Sequence, residues 1–115
     1  MSLEEINKID YVSYDPESKT TILTISDQLD WNDEVSHLFL IQEKIKKYLD
    51  FIESGQIKVE YPSFLDSMNC KIQIIFRFNP EKNKVAIEGL VKLKQFLEAN
   101  LYKFEWKVLE FKGDE

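Results

Sequence analysis

The residues with the greatest chemical reach in this chain are few, and most sit close together. The single histidine, His37, follows Asp27, Asp30, Asp33 and Glu34 within ten positions. Asp33 and His37 are four apart, so on a helix they share a face and form a carboxylate–imidazole pair. Such a pair can hold a metal or pass a proton. Two ligands are too few for a specific metal site, and no third falls on that face, so His37 reads as a solvent-exposed histidine beside an acid. The acids 27–34 would attract a cation, but the glycine at the bend and the bidentate acid of a calcium loop are missing. No metal and no cofactor are expected. Cys70 stands alone. A thiol becomes a nucleophile when a neighbouring base or cation lowers its pKa. At the start of an apolar strand it reads instead as a small buried hydrophobe. No glycine-rich phosphate loop, nucleophile elbow or zinc spacing occurs.

The elements that position these residues follow from periodicity. Ile9–Tyr14 and Thr20–Ser26 are β-prone runs around the turn-forming Asp15-Pro16-Glu17-Ser18-Lys19, which predicts a hairpin. A helix is predicted from about Trp31 to Ser54, capped by Asp30 and stopped by Gly55. Its core stripe is read as Val35, Leu38, Ile41, Ile45, Tyr48, Leu49 and Ile52, extended by Trp31. Residues 56–69 read as irregular, with an extended piece at 57–61. Cys70–Phe78 and Tyr102–Val108 alternate apolar and polar side chains, as strands with one solvated face do. Between them a second helix over 80–99 carries Ala86, Leu90, Leu93 and Leu97 inward, and the tail after Phe111 reads as frayed. The order ββαβαβ implies an α+β fold, a two-layer sandwich of a mixed sheet with two helices on one face. The 115 residues read as a single domain, 1–115.

Composition narrows the function classes. With 43% hydrophobic and 31% charged residues and only 3 Gly and 3 Pro, a largely disordered chain is excluded. The net charge of −6, from 15 basic and 21 acidic side chains, disfavours nucleic-acid binding. It is unevenly spread: residues 1–69 hold 6 basic and 14 acidic side chains, residues 70–115 hold 9 and 7. No signal peptide or membrane-spanning run is read in the sequence, and an unpaired cysteine fits a reducing compartment, so a cytoplasmic location is expected.

The segments Ile9–Asp15, Leu23–Trp31, Gln42–Ile45 and Tyr48–Gly55 resemble a family of small bacterial proteins that is known as a domain of unknown function. The resemblance covers about residues 9–55. It implies a compact bacterial cytoplasmic protein and carries over no catalytic residue.

Surface patterning supplies the functional expectation. Leu40, Lys44, Lys47 and Phe51 form a second seam on the first helix, and Val85, Gly89, Lys92 and Phe96 repeat its spacing on the second. Either the helices lie side by side and these flanks touch, or Leu40 and Phe51 are exposed and bury against a partner. Gly89 costs about 1 kcal/mol relative to Ala in a helix interior, which a close approach would justify. Lys71, Arg77, Lys103 and Lys107 give the open sheet face a basic patch, read against ordinary pairing with Glu105. The resulting expectation is a non-enzymatic protein–protein interaction module. Its contact residues are Leu40, Lys44, Lys47, Phe51, Lys71, Arg77, Lys103 and Lys107, and its partner is another protein or a second copy in a homodimer. Small acidic α+β bacterial domains include immunity proteins, which gives one version of the partner by analogy. The alternative is a small-ligand-binding or carboxylate-dependent enzymatic domain using the acidic segment 27–34.

Overall fold

The structure, a computed structural model, describes residues 9–60 and 69–109. The extended reading at position 61 and the tail after Phe111 lie outside the described residues. Strands β1 (Tyr11–Asp15) and β2 (Thr20–Asp27) form the expected antiparallel hairpin. In its turn Asp15 accepts hydrogen bonds from the Ser18 hydroxyl at 2.9 Å and the Glu17 amide at 3.1 Å. These donors, the Ser18 hydroxyl foremost, hold the Asp15 carboxyl below its usual range. Helices α1 (Glu34–Glu53) and α2 (Gln56–Glu60) follow, then β3 (Asn69–Phe76), α3 (Lys84–Ala99) and β4 (Lys103–Val108). The sheet order is β1-β2-β3-β4, with β3 parallel to β2 and β4 parallel to β3. The fold is therefore α+β, with a mixed four-stranded sheet.

Register explains the layering. Val12, Leu23, Ile72 and Phe104 stand in one cross-strand row, and Ile25, Ile74 and Trp106 in the next. Leu23, Ile25, Ile72, Ile74, Phe76 and Phe104 are buried, and they meet Ile41, Ile45, Tyr48, Leu90 and Leu97 from the helices in one core. Both long helices thus cover the same face. Because each runs between parallel strands, they lie side by side in the same direction. The Asn83 amide reaches Glu34 Oε2 at 3.3 Å where they begin.

Several boundaries differ from the periodicity. Helix α1 starts at Glu34, not Trp31, with Asp33 as its cap accepting from the Ser36 amide at 3.2 Å. Asp30 instead caps a local turn at Asn32, which leaves Trp31 outside the helix. Helix α3 starts at Lys84 behind Asn83, because Asn79 and Pro80 close a turn of their own. Strand β3 ends at Phe76, so Phe78 lies exposed rather than in the core row. Residues 56–60 are helical where an extended piece was expected. One buried side chain, Ile57, and a Gln56–Glu60 hydrogen bond of 2.6 Å one turn apart suffice for so short an element. Gly55 ends α1 as predicted, with the left-handed φ of +83° that a side chain disfavours.

The largest departure is the roll of α1. Its buried residues are His37, Ile41, Lys44, Ile45, Tyr48 and Phe51. At 100° per residue this stripe is turned by about 70° from the one read in the sequence. Val35 is consequently exposed and Leu38 and Leu49 lie at the margin of the core. The roll also brings Leu38 against α3. A Cβ built on Gly89 would fall 2.7 Å from Leu38 Cδ1 and 2.8 Å from Cδ2. The glycine is thus explained by a close approach to Leu38, not to Leu40 or Phe51. In a Leu38→Ala background, Gly89→Ala should raise unfolding free energy by about 1 kcal/mol, the propensity difference. In the wild type the same change should give little or no gain. Urea unfolding of the four proteins of this cycle checks the coupling.

Candidate functional site

Two buried ionic clusters account for the roll of α1. At the carboxyl end of β2, Asp27 is 1% exposed and His37 is 2% exposed. His37 Nε2 lies 2.5 Å from Asp27 Oδ2, and its Nδ1 lies 3.0 Å from the Asp30 carbonyl oxygen. Both ring nitrogens thus face oxygen atoms of the 27–30 segment. Asp27 Oδ1 also accepts from the Leu29 amide at 3.0 Å. Trp31 stacks on the imidazole with ring centres 3.7 Å apart, and its indole N–H donates to the Phe78 carbonyl at 3.0 Å. Phe76 packs beside both rings, edge-on to His37 at 6.4 Å and 5.6 Å from Trp31.

Two helical turns on, Lys44 is fully buried and its Nζ lies 3.0 Å from Asp10 Oδ1. Asp10 Oδ2 accepts from the Ser26 amide at 3.1 Å. The Tyr48 hydroxyl accepts from the Asp10 amide at 2.9 Å and donates to the Thr24 carbonyl at 3.1 Å. Burial, then the nearby Asp10 charge, pushes the Tyr48 phenol well above its ordinary value of 10. Tyr102 is pushed up to about 12 by burial and by its hydrogen bond to Glu53.

These groups are directed at one another rather than at a cavity. In the acidic segment Asp27 serves His37, Asp30 the Asn32 turn, Asp33 the α1 cap, and Glu34 pairs with Asn83. His37 is thus buried against Asp27, not exposed beside Asp33. Among the described residues no group of three His, Cys, Asp or Glu side chains could hold a metal ion. Cys70 is half-buried on β3, and burial pushes its thiol up, the opposite of what a nucleophile needs.

Among the described residues, a groove of about 710 Å³ lies open between α1 and α3. Leu38, Ile45, Leu49 and Leu93 contribute apolar walls, and Gly89 lets the helices approach. Phe39 and Phe96 stand along it at 58% and 55% exposure. The charged lining residues are Lys46 and Lys92. A family model described as a family of unknown function, DUF6572, matches residues 1–110. The chain belongs to that family. The match reaches well beyond the segment 9–55 that carries the resemblance in the sequence. No curated protein and no solved structure matches the chain.

The structure redistributes the surface residues read from the sequence. Lys44 and Phe51 are buried and Leu40 is half-buried against the core, so this seam is not the exposed one; Lys47 is exposed. The reason is the ion pair with Asp10, which draws that flank of α1 inward. On the open sheet face Lys103 and Lys107 are exposed and Arg77 lies over the Phe78 ring at 5.6 Å. Lys71 pairs with Glu105 at 2.8 Å, the cross-strand pairing that was weighed against a docking patch. Val35 and Leu38, read as core, line the groove instead, and Phe39 was not singled out. Its position one residue beyond Leu38, on a helix already carrying a full apolar stripe, was the available signal.

Removing one member of a buried pair strands the other. Asp27→Asn and His37→Ala should each lower unfolding free energy by about 3 kcal/mol. Asp27→Leu combined with His37→Leu should cost clearly less than the sum of its single changes in urea titrations. Tyr48→Phe should cost about 1–3 kcal/mol by leaving the Asp10 amide and Thr24 carbonyl without their partner. Because the Tyr48 phenol is raised in the folded state, its contribution is complete below the unfolded value of about 10 and is lost as pH rises toward the folded value. The wild type should therefore lose more stability than Tyr48→Phe above about pH 10 in paired denaturation curves.

Proposed function

We propose that this protein is a non-enzymatic interaction module of a bacterial cytoplasm that docks another protein in the α1–α3 groove. The observation that carries the reading is the groove itself. Apolar side chains that the sequence pattern assigns to the core are turned outward there, and two phenylalanines over half exposed stand on its walls. Exposed apolar surface gathered into one rimmed patch marks an interaction site more often than scattered hydrophobes do. The alternative, chemistry by the acidic segment 27–34, has less support, since Asp27 and His37 are shut behind Trp31 and Phe76. The basic sheet face with Arg77, Lys103 and Lys107 is a second, more weakly supported surface, as Lys71 is engaged by Glu105.

Self-association and toxin neutralisation are the two concrete versions of this reading, and one experiment separates them from no docking at all. A photo-crosslinking amino acid is placed at 39, at 96 and, on the opposite face, at 107, in the cell of origin. Mass spectrometry should map an adduct at 39 and 96 to one segment of one protein, with none at 107. An adduct of twice the chain mass identifies a second copy. Absence of adducts at both groove positions overturns the reading. Phe39→Ser and Phe96→Ser should remove a partner pulled down through the groove while changing stability by less than about 0.5 kcal/mol, as surface substitutions do.

A further inference from the structure

Resting on that reading, we infer that the occupant of the groove is an acidic amphipathic helix of a partner protein, apolar along one face and flanked by carboxylates. Shape, charge and symmetry each narrow the choice.

Shape separates a helix from a small molecule. Small-ligand pockets enclose most of the ligand surface. Here the walls are themselves largely in solvent: Val35, Phe39 and Phe96 are 68%, 58% and 55% exposed. A lipid-like molecule would remain half in water. The lining runs along α1 from Val35 to Leu49, which at 1.5 Å per residue is about 21 Å. That is the length of about four helical turns, and two helices side by side make a trough into which a third can lay its apolar face.

Charge sets the flanks. The whole chain carries −6, yet the charged residues that line the groove are lysines, Lys46 from α1 and Lys92 from α3. Lys46 touches Glu43 at 3.1 Å in an exposed pair one turn apart, which is weak and easily exchanged. With one cation contributed by each helix, carboxylates on either side of an incoming apolar stripe find opposite charge.

Symmetry disfavours a second copy. A twofold dimer sets the same patch against itself. Two copies joined at this groove would gather Lys46 and Lys92 of both around one apolar seam, four cations against the Glu43 carboxylate beside each Lys46.

The test lets the groove choose its own ligand. A display library of 14-residue helices, randomised at all outward positions, is selected on the wild-type chain. Selected sequences should carry apolar residues at i, i+3, i+4 and i+7 with Asp or Glu beside them. The charge-reversed variant Lys46→Glu with Lys92→Glu should bind the same peptides at least fivefold more weakly. It should also prefer their lysine-flanked versions. Neutral or basic winners, or winners indifferent to the charge reversal, overturn the inference. So does a dimer in sedimentation that Phe39→Ser dissolves, because the occupant is then a second copy. Binding of sodium laurate to the groove with no peptide enriched overturns it in favour of a small amphiphile. Photo-capture at 39 and 96 that survives the charge reversal removes the acidic helix but leaves the docking face. Loss of capture from the wild type removes both.

Discussion

The rotation of α1 about its own axis is fixed by two buried ion pairs, and the shape of the molecule depends on it. Hydrophobic burial alone would accept a roll with Val35, Leu38 and Leu49 inward, since that stripe is apolar and continuous. The observed roll brings His37 and Lys44 inward, exposes Val35 and leaves Leu38 and Leu49 at the margin. Charge desolvation makes such an arrangement costly unless each ion meets its counterpart with good geometry. Both do: Asp27 and the Asp30 carbonyl take the two ring nitrogens of His37, and Asp10 takes Lys44 while also holding the Ser26 amide. A buried pair of this kind gains little stability over an apolar substitute, but it punishes every other roll with an unpaired charge.

The groove follows from that rotation. Turning polar groups inward displaces apolar ones outward, and they collect along the one side of α1 that has a neighbour, the α3 side. Gly89 sets how close that neighbour comes, and Leu38 fills the approach. The core and the exposed face are thus two readings of a single angle. The same accounting explains the quiet interior. Each titratable group of the 27–34 segment is already held by a partner within the fold.

Much of this architecture is legible in the sequence. The alternation of β3 and β4, the Asp15 turn and the Gly55 stop follow from rules that act over a few residues, and the structure has all of them. The roll is not legible, because hydrophobic periodicity scores His37 and Lys44 as solvent-facing. Their partners are set by strand pairing, Asp27 ten positions away and Asp10 thirty-four. Helix α2 escapes because five residues carry no period. The α1 start was displaced by Trp31, whose stacking on His37 depends on a contact that only the folded chain makes. The groove residues were visible as apolar, but which side of the helix they served rested on charges elsewhere.

The parallel course of α1 and α3 gives the groove a direction. Peptide dipoles align along each helix, so the two amino ends, joined where Asn83 meets Glu34, present partial positive charge together, and the two carboxyl ends present partial negative charge. A third helix laid between them is stabilised when it runs opposite to both, its carboxyl end over Val35 and its amino end over Leu49 and Phe96. The trough is therefore polar in the vectorial sense, and a helical segment laid in it would differ in energy from the same segment reversed.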